Sequence, residues 1–249
     1  MVQYLIPLLK IILILAALSF ASYQDLKTRE IDDKVWYIAI VTGAVLTASE
    51  ILTTPGYPLA LLILSVGITA VLALGIYYAG LYGGADAKAL IAIAVTLPLP
   101  PSYQAVTSWP YPFTIFGNAL VLSLLLIPAC AIWNSLWWMK NKDLFKDLNA
   151  TTVQKAAIFF LGAKVKLETA NKVHFNLLEK LAADGSHYIR LFSRVASEEE
   201  PKVFGKDSKY VWATPALPLI VFFLFGFLLY FVAGDIIFRI VLFLMGAMA

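Results

Sequence analysis

Outside one strongly charged stretch, this 249-residue chain has seven acidic residues: Asp25, Glu30, Asp32, Asp33, Glu50, Asp86 and Asp235. Two of them, Asp25 and Asp86, stand at the ends of long apolar runs. Two carboxyls held close together cannot both ionise, so they share one proton. The ionised member can take a proton from water while the neutral one donates to a carbonyl oxygen, which is chemistry that hydrolyses a peptide bond. Such a pair titrates as a unit.

Gly80, Gly83 and Gly84 precede the second aspartate. They are expected to allow positive φ and close approach of an extended peptide. The element Thr214-Pro215-Ala216-Leu217-Pro218 places two prolines where helical backbone bonds are lost. In lipid, such irregular backbone is tolerated where it is buried or lines a cavity, and a substrate strand could use its free groups. Plainer roles exist for each feature. Asp86 suits a helix cap, Asp25 a helix-end charge, Gly83-Gly84 a turn and Pro215 to Pro218 a helix boundary. Asp235, four residues before Arg239, suits an intrahelical pair, and Lys88 a side chain snorkelling to the interface. His174 and His187 lack ligand spacing, and the single Cys130 excludes a disulfide framework or a cysteine zinc site. No metal or cofactor is expected.

The elements that must position the two aspartates follow from composition. The chain is 61% hydrophobic and only 14% charged, against roughly 45–50% and about 25% for soluble domains. Its solvent is therefore lipid, and a helix of about 20 apolar residues crosses it. Apolar runs at about 4–24, 35–52, 58–80, 86–97, 113–138 and 214–233 predict an α-helical polytopic membrane protein with about six transmembrane helices. The fourth run is short, and the terminal segment after Gly234-Asp235 continues the last helix or lies at the interface. Residues 139–211 hold 13 of the 19 Lys and Arg and 9 of the 16 Asp and Glu. They form a small α+β soluble insert, with Ala156–Leu161, Lys164–Leu167 and Tyr188–Phe192 strand-like and Asn171–Ala183 helical. The expected division is a membrane domain over 1–138, the insert over 139–211 and a second membrane segment over 212–249.

Lys27, Arg29, Lys34, Lys88 and the basic insert all fall on one side of these spans, while the loops at 53–58 and 98–112 carry no Lys or Arg. The positive-inside rule puts that basic side in the cytoplasm and the N-terminus outside. Spans two and three carry the chain out and back, so Asp25 and Asp86 reach the same, cytoplasmic face. The net charge of +3 is too small to argue for nucleic acid.

At Gly83-Gly84-Ala85-Asp86-Ala87-Lys88 the chain resembles the archaeal branch of the GxGD membrane aspartyl proteases, the preflagellin and type IV prepilin-like peptidases. The segment Ser22 to Ile31 is similar to that family's first catalytic segment, with Ile six residues after Asp25. Thr214 to Pro218 is similar to its Pro-Ala-Leu-like element. The resemblance implies a catalytic pair of Asp25 and Asp86, with Gly83, Gly84, Ala85, Pro215, Ala216, Leu217 and Pro218 around the substrate. Gly83 matches the first motif glycine and Gly84 the variable position. Ala85 replaces the second glycine, where a small residue suffices. Bacterial relatives carry a cysteine-rich insert and add N-methylation; a chain with one Cys implies proteolysis without methyl transfer. The implied reaction removes a short basic leader from preflagellin or type IV pilin-like precursors at the cytoplasmic face, with Glu30, Asp32 and Asp33 attracting the leader. A peptidase for other pilin-like or transmembrane peptides, a small carboxylate-relay transporter and a non-catalytic scaffold touching anionic lipid fit some of the same residues.

Overall fold

A computed structural model of the protein describes residues 2–100, 110–145, 148–172, 175–181, 187–189, 210–215 and 218–246. The chain divides into two compact units, Met1–Ser123 with Pro218–Ala249, and Leu124–Leu217. The first unit begins with α1 (Val2–Thr28), α2 (Asp33–Thr53), α3 (Leu59–Tyr78), α4 (Gly84–Thr96) and α5 (Tyr111–Ser123). The second holds α6 (Leu126–Asn141), β1 (Leu148–Asn149), α7 (Thr152–Leu161), β2 (Ala163–Lys166), α8 (Leu167–Lys172), β3 (Phe175–Leu177), β4 (Glu179–Leu181), β5 (His187–Ile189) and β6 (Tyr210–Pro215). The first unit resumes with α9 (Leu219–Ala233) and α10 (Ile236–Leu244).

Among the described residues, Leu5–Thr28, Asp33–Thr53, Leu59–Tyr78 and Tyr111–Asn141 are long and apolar enough to cross a membrane. Helices α9 and α10 pass that test together as one span bent by 54°. This is a polytopic helical membrane protein with a small sheet-bearing region. The fourth apolar run forms α4, which at 13 residues is too short to cross lipid by itself.

Helix α4 is instead buried by its neighbours, with Ala87, Ala89, Leu90, Ala92, Ile93, Ala94 and Thr96 all inside the unit. Its alternating alanines let α2 and α3 approach closely, as small residues do in membrane bundles. The last carbonyls of a helix have no partner within it, and lipid supplies none. Here Thr47 of α2 donates its hydroxyl to the Val95 and Thr96 carbonyls at 2.9 and 3.2 Å, and Ser65 of α3 donates to Pro98 O at 2.7 Å. Thr47→Val keeps the shape but removes the donor. It is expected to lower stability by about 1–2 kcal/mol, read as an earlier thermal unfolding of the protein in detergent. An unchanged midpoint would show that these carbonyls need no side-chain donor.

The break between α9 and α10 is satisfied in the same way. Gly234 adopts φ 68°, a conformation that favours glycine. Asn118 of α5 donates to Gly234 O at 2.9 Å and accepts from the Ile236 N–H at 3.0 Å. Asp235, expected to pair along the helix with Arg239, starts α10 as its cap, accepting from the Phe238 N–H at 2.8 Å and from the Thr114 hydroxyl at 2.9 Å. Gly226 gives α5 and α9 their close contact, since a Cβ there would lie 2.8 Å from both Ile115 O and Ala119 N.

Among the described residues, the second unit holds two three-stranded sheets, ordered β1-β5-β4 and β2-β6-β3. Its core gathers Leu144, Leu148, Ile158, Leu178, Ile189 and Trp212. Asn134 joins α6 to the α7–β2 corner, donating to Phe159 O and Gly162 O and accepting from the Lys164 N–H. Two sequence expectations fail here. Ala156–Leu161 is helical rather than strand-like, because Thr151 and Gln154 form a capping box that starts α7, and that reciprocal bonding favours a helix. The helix expected over 171–183 ends at Lys172, and Phe175–Leu177 pairs antiparallel with β6.

Candidate active site

Ile14, Leu18, Ala21 and Asp25 are all buried in the first unit. Their spacings of four, three and four residues put them on one stripe of α1. The periodicity that buries the apolar side chains thus carries Asp25 inward with them, in the last turn of the helix. One turn earlier, Ser22 donates to Ile220 O of α9 at 3.4 Å, which places the start of α9 at the same end of the unit as Asp25.

Helix α1 ends at Thr28, and Arg29 follows it. This residue takes φ 61°, and its N–H donates to Asp25 O at 3.1 Å. Its side chain folds back, so that Arg29 Nη1 lies 3.1 Å from Asp25 Oδ1 as an ion pair. The signal for this contact was the i, i+4 spacing of Asp and Arg, which sequence reasoning did not use. Beyond it, Asp32 caps α2 by accepting from the Lys34 N–H at 2.9 Å.

Asp86 occupies the first turn of α4, where a carboxylate is favoured by the unpaired N–H groups and helix dipole. Its Oδ2 accepts from the Gly83 N–H at 3.0 Å. The loop leading to it turns at Gly80, which has φ +72°, and the Tyr82 hydroxyl anchors it to Ala73 O at 2.7 Å. Lys88, expected to snorkel, pairs with Asp33 at 2.5 Å and so ties α4 to the first turn of α2. Of the three loop glycines expected to use positive φ, Gly80 does so, whereas Gly83 is extended at φ −78°. Gly83 contributes space instead: a Cβ there would meet Asp86 Oδ2 at 3.5 Å and nothing nearer. Gly84 begins α4 against the Tyr77 ring, and Ala85 follows it in the first turn.

Burial pushes the Asp86 carboxyl up to about 6. The Gly83 N–H works against that shift, the Asp25 carboxylate adds to it, and the Arg29 guanidinium opposes it. The Asp25 carboxylate, far from Asp86 in sequence, is therefore near enough in space to act on it. The structure brings together Asp25, Arg29, Asp86 and Gly83 from the end of α1 and the start of α4.

The proline element is distributed differently. Thr214 and Pro215 end β6 in the second unit, with Pro215 opposite Phe175. Pro218 caps α9 in the first unit, and Ala216 and Leu217 lie outside the described residues. Among the described residues, no group of three or more His, Cys, Asp or Glu side chains converges as a metal site would require.

Comparison with known proteins adds two family matches and several relatives. Residues 12–132 match the type IV leader peptidase family, and residues 154–236 match the archaeal peptidase A24 C-terminus, type II. The chain is 26% identical over 240 residues to a preflagellin peptidase of Methanococcus voltae, covering 92% of this chain and 96% of that one. It is 27% identical over 240 residues to a preflagellin peptidase of Methanocaldococcus jannaschii, covering 92% and 95%. A preflagellin peptidase of Methanococcus maripaludis is 24% identical over 246 residues, covering 94% and 96%.

Proposed function

Because the chain belongs to the type IV leader peptidase family, and its relatives over nearly their whole length are preflagellin peptidases, we propose that it is a membrane aspartyl endopeptidase that removes the leader from preflagellin, with Asp25 and Asp86 as its dyad. The observation that carries the aspartyl reading is the placement of Asp25, buried in the last turn of α1, and Asp86, half-buried in the first turn of α4, near enough for the Asp25 carboxylate to act on Asp86.

Asp25, hydrogen-bonded to a cation, is the base, and Asp86 is the acid. Asp25 takes a proton from water as the water oxygen bonds to the scissile carbonyl carbon, and Asp86 gives its proton to the carbonyl oxygen. The resulting gem-diol collapses when Asp25 passes its proton to the amide nitrogen and Asp86 recovers one from a gem-diol hydroxyl. The C–N bond then breaks, leaving acid and amine and restoring the dyad. The extended backbone at Gly83 leaves the substrate room beside Asp86.

The site faces the cytoplasm and the N-terminus lies outside, in keeping with the basic loops on the Asp25 side. Pilin-like precursors with the same combination of basic leader and apolar helix are further substrates. Pro218, at the Asp25 end of the unit, borders the substrate. The test is cleavage of preflagellin added to membranes that carry the full chain. Wild type shortens the precursor and Asp25→Asn or Asp86→Asn does not; unimpaired cleavage by either variant overturns the dyad.

Glu30 and Asp32 are exposed beside the end of α1, while Asp33 is already engaged by Lys88. The first two contact the leader's basic residues. Glu30→Gln with Asp32→Asn is expected to raise KM severalfold for a basic leader and leave a neutral leader unaffected. Equal loss on both leaders would remove this role.

A further inference from the structure

We propose that Arg29 is a positioning residue of the dyad: its guanidinium, held on Asp25 Oδ1, keeps Asp25 as the proton acceptor and leaves the pair's single proton on Asp86. The inference rests on the aspartyl reading above. Its first support is backbone conformation. Arg29 takes φ 61°, a left-handed geometry that helix ends commonly fill with Gly or Asn. A non-glycine residue there is strained, and such strain points toward a role for the side chain.

The second support is where that side chain goes. A cation at a helix C-terminus is favoured by the dipole wherever it points. The Arg29 side chain instead turns back onto the carboxylate of its own last turn, at 3.1 Å. The same two residues are also joined through their backbones, Arg29 N–H to Asp25 O at 3.1 Å. The turn that strains the backbone thus fixes the root of the guanidinium directly beside Asp25.

The third support is the composition of the surroundings. On α1 itself, Lys27 is directed to the Tyr23 hydroxyl and ring. From the loop before α4, the Tyr82 hydroxyl is committed to Ala73 O. From α2, Asp33 pairs with Lys88 of α4. The first three turns of α9 carry only apolar side chains. From α4, Asp86 faces the pair, and Arg29 acts on it as well. Arg29 is the cation placed to make the two carboxyls unequal. A guanidinium suits this because it stays charged at every pH at which the carboxyls titrate, and a hydrogen bond between ionised groups is stronger than a neutral one.

The experiment measures kcat and KM for preflagellin cleavage against pH, with the full chain in membranes. It compares wild type with Arg29→Gln, Arg29→Lys, Arg29→Gly and Asp25→Asn. Arg29→Gln and Arg29→Gly are expected to lower kcat about tenfold with little change in KM. The limb of their pH profiles that reports Asp86 should move to higher pH, because Asp86 loses the cation that opposes its upward shift. Arg29→Lys restores most of kcat and the wild-type profile. Arg29→Gly unfolds at the wild-type temperature or above, since glycine fits the φ, which separates positioning from a structural role. Faster cleavage by Arg29→Gln overturns the proposal by making Arg29 a latch, and an unshifted profile or a loss of activity that follows a loss of thermal stability also overturns it. If wild type cleaves, Asp25→Asn does not and Arg29→Gln matches wild type, Arg29 alone is refuted. If Asp25→Asn cleaves like wild type, the aspartyl reading falls and the Arg29 proposal with it.

Discussion

Replacing Asp86 with Asn is expected to reduce kcat for leader cleavage roughly a thousandfold, and Asp25→Asn to do the same, since positioned acid–base groups contribute about 10²–10⁴ in rate. Both substitutions should leave the fold intact. An Asn side-chain oxygen can still accept the Gly83 N–H that Asp86 Oδ2 now receives, and the Arg29 donor that Asp25 Oδ1 receives. What is lost is the carboxyl that holds or accepts a proton. The double variant should be little worse than either single one, because two members of one proton-sharing unit are not additive. The pH dependence follows from the acid. With its carboxyl pushed up to about 6, Asp86 holds a proton below that pH and loses it above. The kcat/KM of wild type should therefore fall as pH rises through about 6, and this limb reports the free enzyme. Residual cleavage within a few-fold of wild type in either Asn variant, with normal thermal unfolding, would remove that residue from the chemistry.

The second large effect concerns an ion pair remote from this site. Lys10 interrupts the first apolar run, and its Nζ lies 2.6 Å from Glu50 Oε2 of α2, with the lysine side chain only 3% exposed. Removing one partner of a buried pair leaves an uncompensated charge and costs about 3–5 kcal/mol, whereas replacing both by apolar residues of similar size is often neutral or stabilising. Lys10→Met and Glu50→Leu should each unfold well below wild type in detergent, and the double variant should return close to it. Lys10 precedes Asp25 by fifteen residues, about 22 Å along a helix. The double variant should consequently keep wild-type kcat. A double variant as unstable as the singles would mean that the pair contributes something apolar packing cannot replace.

The two aspartates stood out in the sequence because charge is scarce in the membrane part of the chain, so each remaining carboxylate could be considered singly. Their helix-end positions also followed from apolar run lengths. The Arg29 contact was harder to read. Its i, i+4 spacing is visible, but nothing in a list of charges indicates that a non-glycine residue will take a left-handed φ and turn its guanidinium inward. The loop glycines were read too uniformly: Gly80 uses its conformational freedom, and Gly83 leaves space. In the charged stretch, short apolar segments look alike whether they become helix or strand. The Thr151–Gln154 capping box decided α7, and pairing with β6 decided Phe175–Leu177.

Composition and apolar run length by themselves determined that this is a helical membrane protein and where its long helices run. Lipid offers no hydrogen-bond partners, so a long apolar run must satisfy its backbone locally as helix. Tertiary structure alone decided that short α4 is stable as a buried helix, through the Thr47 hydroxyl of α2 that meets its last carbonyls and the Ser65 hydroxyl of α3 that meets Pro98 O just beyond it. It also decided that Asp235 caps a broken helix, that Lys10 meets Glu50, and that Asp25, with Arg29 beside it, comes near enough to act on Asp86. These depend on groups remote in sequence, and only packing of the helices brings such groups within hydrogen-bonding or electrostatic range.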